Sequence, residues 1–169
     1  ARVVANILVY IELEDGDATR ASLSALNHGR RLASQLGAAL YALLPCKAPP
    51  GWDENDIITV ISRHGADKVI LVTNPGLDIP PSAEVLGPVL ANACKRFPPR
   101  VVLLPAAGML QGHGEDLAGA VGGTLSTGED LPDGDAEYLS PLLDRDTPLV
   151  VMLQADLEPA RGRPQAEPR

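Results

Sequence analysis

Apolar residues in this chain come in short, nearly unbroken runs. Between the runs they recur at three- and four-residue spacing. The first run, Asn6 to Ile11, predicts a strand buried on both faces. An acidic turn from Glu12 to Asp17, containing Asp15-Gly16, separates it from a helix over roughly Thr19 to Leu36. In that helix Leu23, Leu26, Arg30 and Ala33 share a face that Leu32 and Leu36 extend. Thr19 or Ser22 is its N-cap candidate and Gly37 its C-terminal glycine.

The alternation continues. Ala38 to Leu44 predicts a second strand, stopped by Pro45, and Cys46 to Trp52 a proline-rich loop. Glu54 to His64 predicts a helix with Ile57, Ile58 and Ile61 on one side, ended by Gly65. Val69 to Thr73 is the third strand, followed by a loop marked by Asn74-Pro75-Gly76 and Pro80-Pro81. Ser82 caps a helix reaching about Phe97, and Pro88 should either kink it or mark its true start. Arg100 to Pro105 is the fourth strand. A loop of small residues, Ala106 to Gly114, then leads to a helix over Glu115 to Gly123 and a short run ending near Gly128. Glu129 to Asp135 is a loop, Ala136 to Leu143 a short turn of helix, and Leu149 to Leu153 a last strand. Alternating strands and helices predict a three-layer, Rossmann-like α/β fold, mostly parallel, with helices on both faces. Residues 1–158 form one domain in this reading, and 159–169, rich in Pro and Arg, a flexible tail.

Composition narrows the partners. Aromatics are only 3% of 169 residues, so the core rests on Leu, Val, Ile and Ala, and a base-stacking surface is not expected. A net charge of −8 argues against a nucleic-acid backbone as partner. Cys46 and Cys94 form neither CxxC nor a metal-spaced set and are expected to be buried, reduced thiols of a cytoplasmic protein. No apolar run has the length needed to span a bilayer, so membrane insertion is not expected.

Strand, glycine-bearing loop and helix at Arg100 to Asp130 form the arrangement by which α/β sheets present a ligand crevice. Two readings stand for it. In one, the backbone of Ala106, Ala107, Gly108, Gly112, His113 and Gly114 holds an adenine nucleotide at the helix N-terminus. In the other the helix caps itself with Glu115 and Asp116, which favour the dipole and repel phosphate. GHGEDL is neither GxGxxG nor a Walker sequence. His113 lacks a neighbouring nucleophile with an orienting acid and is expected to face solvent, and Ser126-Thr127 does not sit in GxSxG. His28, His64 and His113 show no metal spacing. Glu12, Glu14, Asp15 and Asp17 lack the EF-hand pattern and read as a solvated turn; Glu12, at the strand end beside the crevice, is the exception to watch. Trp52 is either an exposed partner anchor or a lid over a helix. No catalytic residue emerges, and the chain reads as a non-catalytic domain rather than an enzyme.

Two blocks carry a family resemblance. The opening NILVYIELEDGDATRASLSALNHGRRLASQLGAALYALL resembles the start of the electron-transfer flavoprotein alpha subunit. In that family a buried strand ends in a glutamate, an Asp-Gly turn follows, and a helix begins near Ala-Ser-Leu; here these are Glu12, Asp15-Gly16 and Ala21-Ser22-Leu23. GADKVILVTNPGL followed by RVVLLPAAGMLQGHGEDLAGAVGGTLSTG is similar to the family's later strands and its small-residue loop, and PLVVMLQADLEP to the strand that closes the first domain. The family's Gly-Arg-Asp helix start is Gly114-Glu115-Asp116 here. The resemblance implies a heterodimer with a beta-like subunit or a larger redox complex, and a scaffold or docking role in flavin electron transfer. It also implies a carboxyl-terminal domain that holds most of the FAD, before which this sequence ends. The beta subunit's equivalent crevice holds AMP, and the alpha copy does not hold the flavin, so no cofactor is expected on this chain. The rival is a stand-alone adenine-nucleotide-binding module. A third reading, an ATP pyrophosphatase, is argued against by the acids that Tyr10 to Asp17 carries where its phosphate loop belongs.

Overall fold

The computed structural model describes residues 6–14, 17–46, 52–73, 81–106, 110, 112–127 and 148–153. The runs expected to be strands are strands. They are β1 (Asn6–Tyr10), β4 (Ala39–Cys46), β5 (Lys68–Thr73), β6 (Val101–Pro105), β7 (Thr124–Thr127) and β8 (Leu149–Leu153). A small antiparallel ribbon, β2 (Leu13–Glu14) with β3 (Asp17–Ala18), stands where the acidic turn was expected. The six long strands form one sheet in the order β5-β4-β1-β6-β8-β7, and every pairing in it is parallel.

Helices α1 (Arg20–Leu36), α2 (Trp52–Arg63), α3 (Ala83–Arg96) and α4 (Gly114–Val121) cover both faces. Strand alternation sorts the core into two layers. Ile7, Val9 and Ile11 point to α1 and α2, meeting Leu26, Leu32, Ile57 and Ile61. Leu8 and Tyr10 point the other way, among Leu86 and Leu90 of α3 and Leu117 of α4. Helix α1 lies close to the sheet because Gly29 has no side chain: a Cβ there would stand 2.9 Å from Leu40 Cδ1 and 3.1 Å from Val9 Cγ2.

Several boundaries differ from the pattern-based expectation. β4 runs through Pro45 to Cys46 instead of stopping before it. Its pairing with β1 ends at Leu43, so Pro45 pairs only with Val72 of β5, and its missing N–H can face the side without a neighbour. α2 begins at Trp52, which places that residue's backbone in a helix rather than in a loop. α3 continues through Pro88, which neither starts nor ends it. Left-handed Gly37 (φ 68°) and Gly122 (φ 70°) end α1 and α4, as helix-terminating glycines do. The expected turn of helix at 136–143 and the tail at 159–169 lie outside the described residues.

At the other end of the sheet, a polar staple ties α1 to the entries of β4 and β5. Asp67 Oδ2 accepts the Leu40 N–H at 2.9 Å, and the Asp67 N–H donates to the Leu40 carbonyl at 2.7 Å. Arg30 reaches from α1 to donate to the Gly65 carbonyl at 2.7 Å and lies 3.5 Å from Asp67 Oδ1. Gly65 suits this approach, since a Cβ there would meet the Arg30 stem at 2.5 Å and its φ is 113°.

Candidate functional site

The sheet reverses its direction of growth between β1 and β6. A doubly wound fold leaves its crevice at the carboxyl ends of two such strands. β1 delivers Tyr10, Ile11 and Glu12 there, and β6 delivers Leu104, Pro105 and Ala106.

On the β1 side the chain is tightly knotted. Glu12, the exception to the solvated acidic turn, is 3% exposed. Its N–H donates to Ser22 Oγ at 2.7 Å, and its carbonyl accepts the Thr19 N–H at 3.0 Å. Thr19 caps α1 by accepting the Ser22 N–H at 3.2 Å, while its hydroxyl donates to Ser22 Oγ at 2.9 Å. Thr19 is therefore the N-cap of the two candidates. Ser22, fully buried, instead binds the strand end to the helix. The glutamate and the Ala-Ser-Leu of the opening block thus close the β2–β3 excursion at its base.

Sequence reasoning missed Tyr10. It is fully buried, and its hydroxyl has no hydrogen-bond partner among the described residues. Burial, and secondarily the nearby Glu12 carboxylate, hold its phenol well above the ordinary range. The available signal was period two: Tyr10 shares a face with Leu8 in a strand covered on both sides.

On the β6 side, the Ala106 N–H donates to the Leu153 carbonyl at 2.8 Å, so that residue is engaged by β8. Ala107 and Gly108 lie outside the described residues. Leu110 is fully buried, and its carbonyl accepts the His113 N–H at 3.0 Å. Gly112 has φ 83°, a conformation that requires glycine or nearly so. His113 is the N-cap residue of α4 but makes no side-chain capping bond. Its ring is exposed, as expected of a solvent-facing histidine, and Nδ1 lies 3.7 Å from Asp116 Oδ2. Gly114 is buried at the first helical position. Structure therefore places Gly112, His113 and Gly114 at the mouth of α4, with Ala106 held by the neighbouring strand.

Charge around this mouth is one-sided. Because all six strands run the same way, the carboxyl end gathers Glu12, Glu14, Asp17, Glu84, Glu115 and Asp116, with Arg20 the one described cation among them. The amino end gathers Arg30, Arg31, Arg63, Lys68, Lys95, Arg96 and Arg100, with Asp67 as the described acid. Acids at helix starts and bases at helix ends each complement the helix dipole, which accounts for part of this segregation. Glu115 and Asp116 stand exposed in the first turn of α4, beside Gly112 to Gly114. Among the described residues no group of three or more His, Cys, Asp or Glu side chains could hold a metal. Neither Cys46, which is buried, nor Cys94, which is half-buried, is in a disulfide. No described helix is long and apolar enough to cross a membrane.

Comparison with solved structures gives universal stress protein folds. One, described as a universal stress protein in complex with cAMP, is 14% identical, with 88% of this chain and 95% of that chain covered and a TM-score of 0.44. Another, from Archaeoglobus fulgidus, is 12% identical, with 88% and 93% covered and a TM-score of 0.45. Among curated proteins, Protein FixB of Rhizobium meliloti (strain 1021) is 35% identical over 127 residues, which is 73% of this chain and 33% of that protein. Protein FixB of Azotobacter vinelandii is 32% identical over 125 residues, 74% and 33% respectively. The chain spans about a third of the length of the curated relatives it matches. The family model for the electron transfer flavoprotein domain matches residues 7–128, from β1 through α4 and β7. By that match, and by its identity to the FixB proteins, the chain belongs to the electron transfer flavoprotein family.

Proposed function

We propose that this chain acts as an alpha-like subunit of a cytoplasmic flavin electron-transfer complex, supplying scaffold and docking surface rather than chemistry. Its partner is a beta-like subunit, as a heterodimer or within a larger redox assembly, and the FAD of that complex is held outside this crevice. One observation carries the reading: the crevice that could hold a cofactor is ringed by carboxylates and knotted shut on the β1 side by Glu12, Thr19 and Ser22. Family membership supports the electron-transfer setting. Co-expression with a beta-like subunit tests it. A yellow complex that survives gel filtration is the expected result, and a colourless monomer at native concentration refutes it.

A second reading, an adenine-nucleotide-binding module, is favoured by the unpartnered hydroxyl of buried Tyr10 near the crevice and by the open N-terminus of α4. Here the backbone of Ala106, Ala107, Gly108, Gly112, His113 and Gly114 carries the ligand. Calorimetric titration with AMP, ADP and FAD decides it, and absence of heat at millimolar ligand removes it.

A further inference from the structure

We infer that β5 pairs with the β5 of a second copy of this chain, antiparallel and centred on Leu71, so that two sheets join into one across a two-fold axis. The inference goes beyond the electron-transfer reading and does not depend on it.

Backbone direction supplies the first reason. β5 ends the sheet and pairs, among the described residues, with β4 alone. The Ile11 N–H donates to the Leu43 carbonyl at 2.9 Å, so Leu43 turns its backbone toward β1. Backbone groups alternate along a strand, so Ala42 and Leu44 turn theirs toward β5. In a parallel ladder these bond the residues that flank their partners Val69 and Leu71, namely Lys68, Ile70 and Val72. Val69, Leu71 and Thr73 are left with N–H and C=O groups directed outward. Such an edge invites another strand unless charge, proline or a bulge blunts it, and Val69 to Val72 carries no such device.

These three residues select a register. An antiparallel copy engages all of them only when Leu71 meets Leu71 and Val69 meets Thr73. Side chains then match on both faces. Leu71 stands against Leu71 on the side of the α1–α2 layer, and Ile70 against Val72 on the side of α3. Lys68, the one charged residue of the strand, falls beyond Thr73 of the copy. Apolar surface continues from the edge onto the flanking helices. The two exposed large hydrophobic residues among those described are Val60 of α2, which packs on β5, and Val85 of α3. Val85 lies one turn before Val89, which stands beside Ile70 and Val72.

Charge chooses a copy over another partner. Around β5 the amino end of the sheet carries Arg63, Lys68, Lys95 and Arg96, and the carboxyl end carries Glu84 at the start of α3. Antiparallel pairing sets each end beside the opposite end of the copy, so bases come toward the acid rather than toward one another. A uniformly acidic partner would suit only the basic end, and a basic one only Glu84. Two-fold pairing uses both ends twice and closes on itself.

Sedimentation equilibrium of the 169-residue chain at micromolar concentration should give twice the monomer mass of 17.7 kDa. Leu71→Lys, checked for folding by circular dichroism, sets like charges opposite each other and should weaken the dimer at least about tenfold. Register is tested separately. Residues opposed in a hydrogen-bonded antiparallel pair have Cα atoms about 5.5 Å apart, within disulfide reach. Leu71→Cys should therefore crosslink to its copy on oxidation, with the bond located by peptide mass spectrometry. Thr73→Cys, about 13 Å from its counterpart along the strand, should not. A monomer at every concentration, a dimer indifferent to Leu71→Lys, or equal crosslinking at 71 and 73 overturns the inference. So does a chain that is monomeric alone and protects the amides of 69–73 from exchange only when a beta-like subunit is added, which would assign the edge to that partner. None of these assays needs flavin, so failure here is distinguishable from failure of the electron-transfer reading.

Discussion

Ser22→Ala cuts the knot at the carboxyl end of β1, and its cost can be worked from the contacts. Ser22 Oγ accepts the Glu12 N–H at 2.7 Å and the Thr19 hydroxyl at 2.9 Å. Both Ser22 and Glu12 are buried, so water cannot readily replace the lost acceptor of the Glu12 amide. An orphaned buried donor costs about 1–3 kcal/mol. The Thr19 hydroxyl is only part-buried and can turn to solvent, while its cap on the residue-22 N–H is retained. Against this, alanine is a better helix former than serine by about 0.5 kcal/mol. A net loss of about 1–2 kcal/mol follows, which for a domain of this size lowers Tm by roughly 2–8 °C. Urea melts should show a lower midpoint with an unchanged slope. A double-mutant cycle with Thr19→Ala should reveal coupling, since the two hydroxyls share a bond. Stability of Ser22→Ala within about 0.5 kcal/mol of wild type would refute the assignment.

Tyr10→Phe removes an unpartnered buried hydroxyl and is expected to leave stability at neutral pH unchanged or to raise it by about 1 kcal/mol. Loss of more than that would mean the hydroxyl has a partner. The same variant has an alkaline signature. Tyr10 in the folded chain keeps its proton far above the unfolded value of about 10, so its contribution is complete below that pH and falls above it by up to about 1.4 kcal/mol per pH unit. Urea melts across that range should lose this slope in Tyr10→Phe, and persistence of the full slope would show that another group causes it. Asp67→Ala removes the acceptor of the Leu40 N–H and should cost about 1–2 kcal/mol. Asp67→Asn keeps an acceptor and should cost under about 1 kcal/mol, because the Arg30 contact is long and partly exposed. Equal losses in thermal melts would contradict this division. Burial pushes the Cys94 thiol up to about 11, so iodoacetamide should label it slowly at neutral pH and faster as the pH rises toward that value. Labelling at the rate of a free thiol, read by peptide mass spectrometry, would exclude such burial.

The alternation of strands and helices was legible because each apolar run is short and each helix has its own three-to-four spacing, with Gly37 and Gly65 as stops. Caps were legible for the same local reason: Thr19 and Ser82 each precede a periodic segment and each accept an N–H three residues on. What escaped depends on neighbours. Whether Pro45 ends a strand is decided by how far β1 runs beside it, which is not written in residues 38–46. The two roles of Thr19 and Ser22 differ only because Glu12 arrives from another element. At the crevice, the need for glycine at 112 was visible as a run of small residues. The unpartnered Tyr10 hydroxyl and the separation of acids from bases were not, since both follow from stacking six strands in one direction. The order of the last two strands was likewise hidden: β7 and β8 are both short apolar runs, and local pattern does not say which lies inside.

That order has a consequence for how the molecule is made. β8 is the last described strand to be synthesised, yet it sits between β6 and β7. Strands β5, β4, β1 and β6 pair in that order with one another, and only the far side of β6 waits for β8, so most of the sheet can close before residue 148 leaves the ribosome. Until then, among the described residues, Thr124–Thr127 has no neighbour to pair with and one side of β6 is a bare edge. The arriving segment is then clasped where both strands begin: the Thr124 N–H donates to the Pro148 carbonyl at 3.0 Å. Gly123 leaves the space for that approach, since a Cβ there would meet the same carbonyl oxygen at 2.6 Å. Completion of the sheet is thus a late insertion rather than an addition at the rim, and a stall just before Pro148 would leave two sticky edges exposed at once.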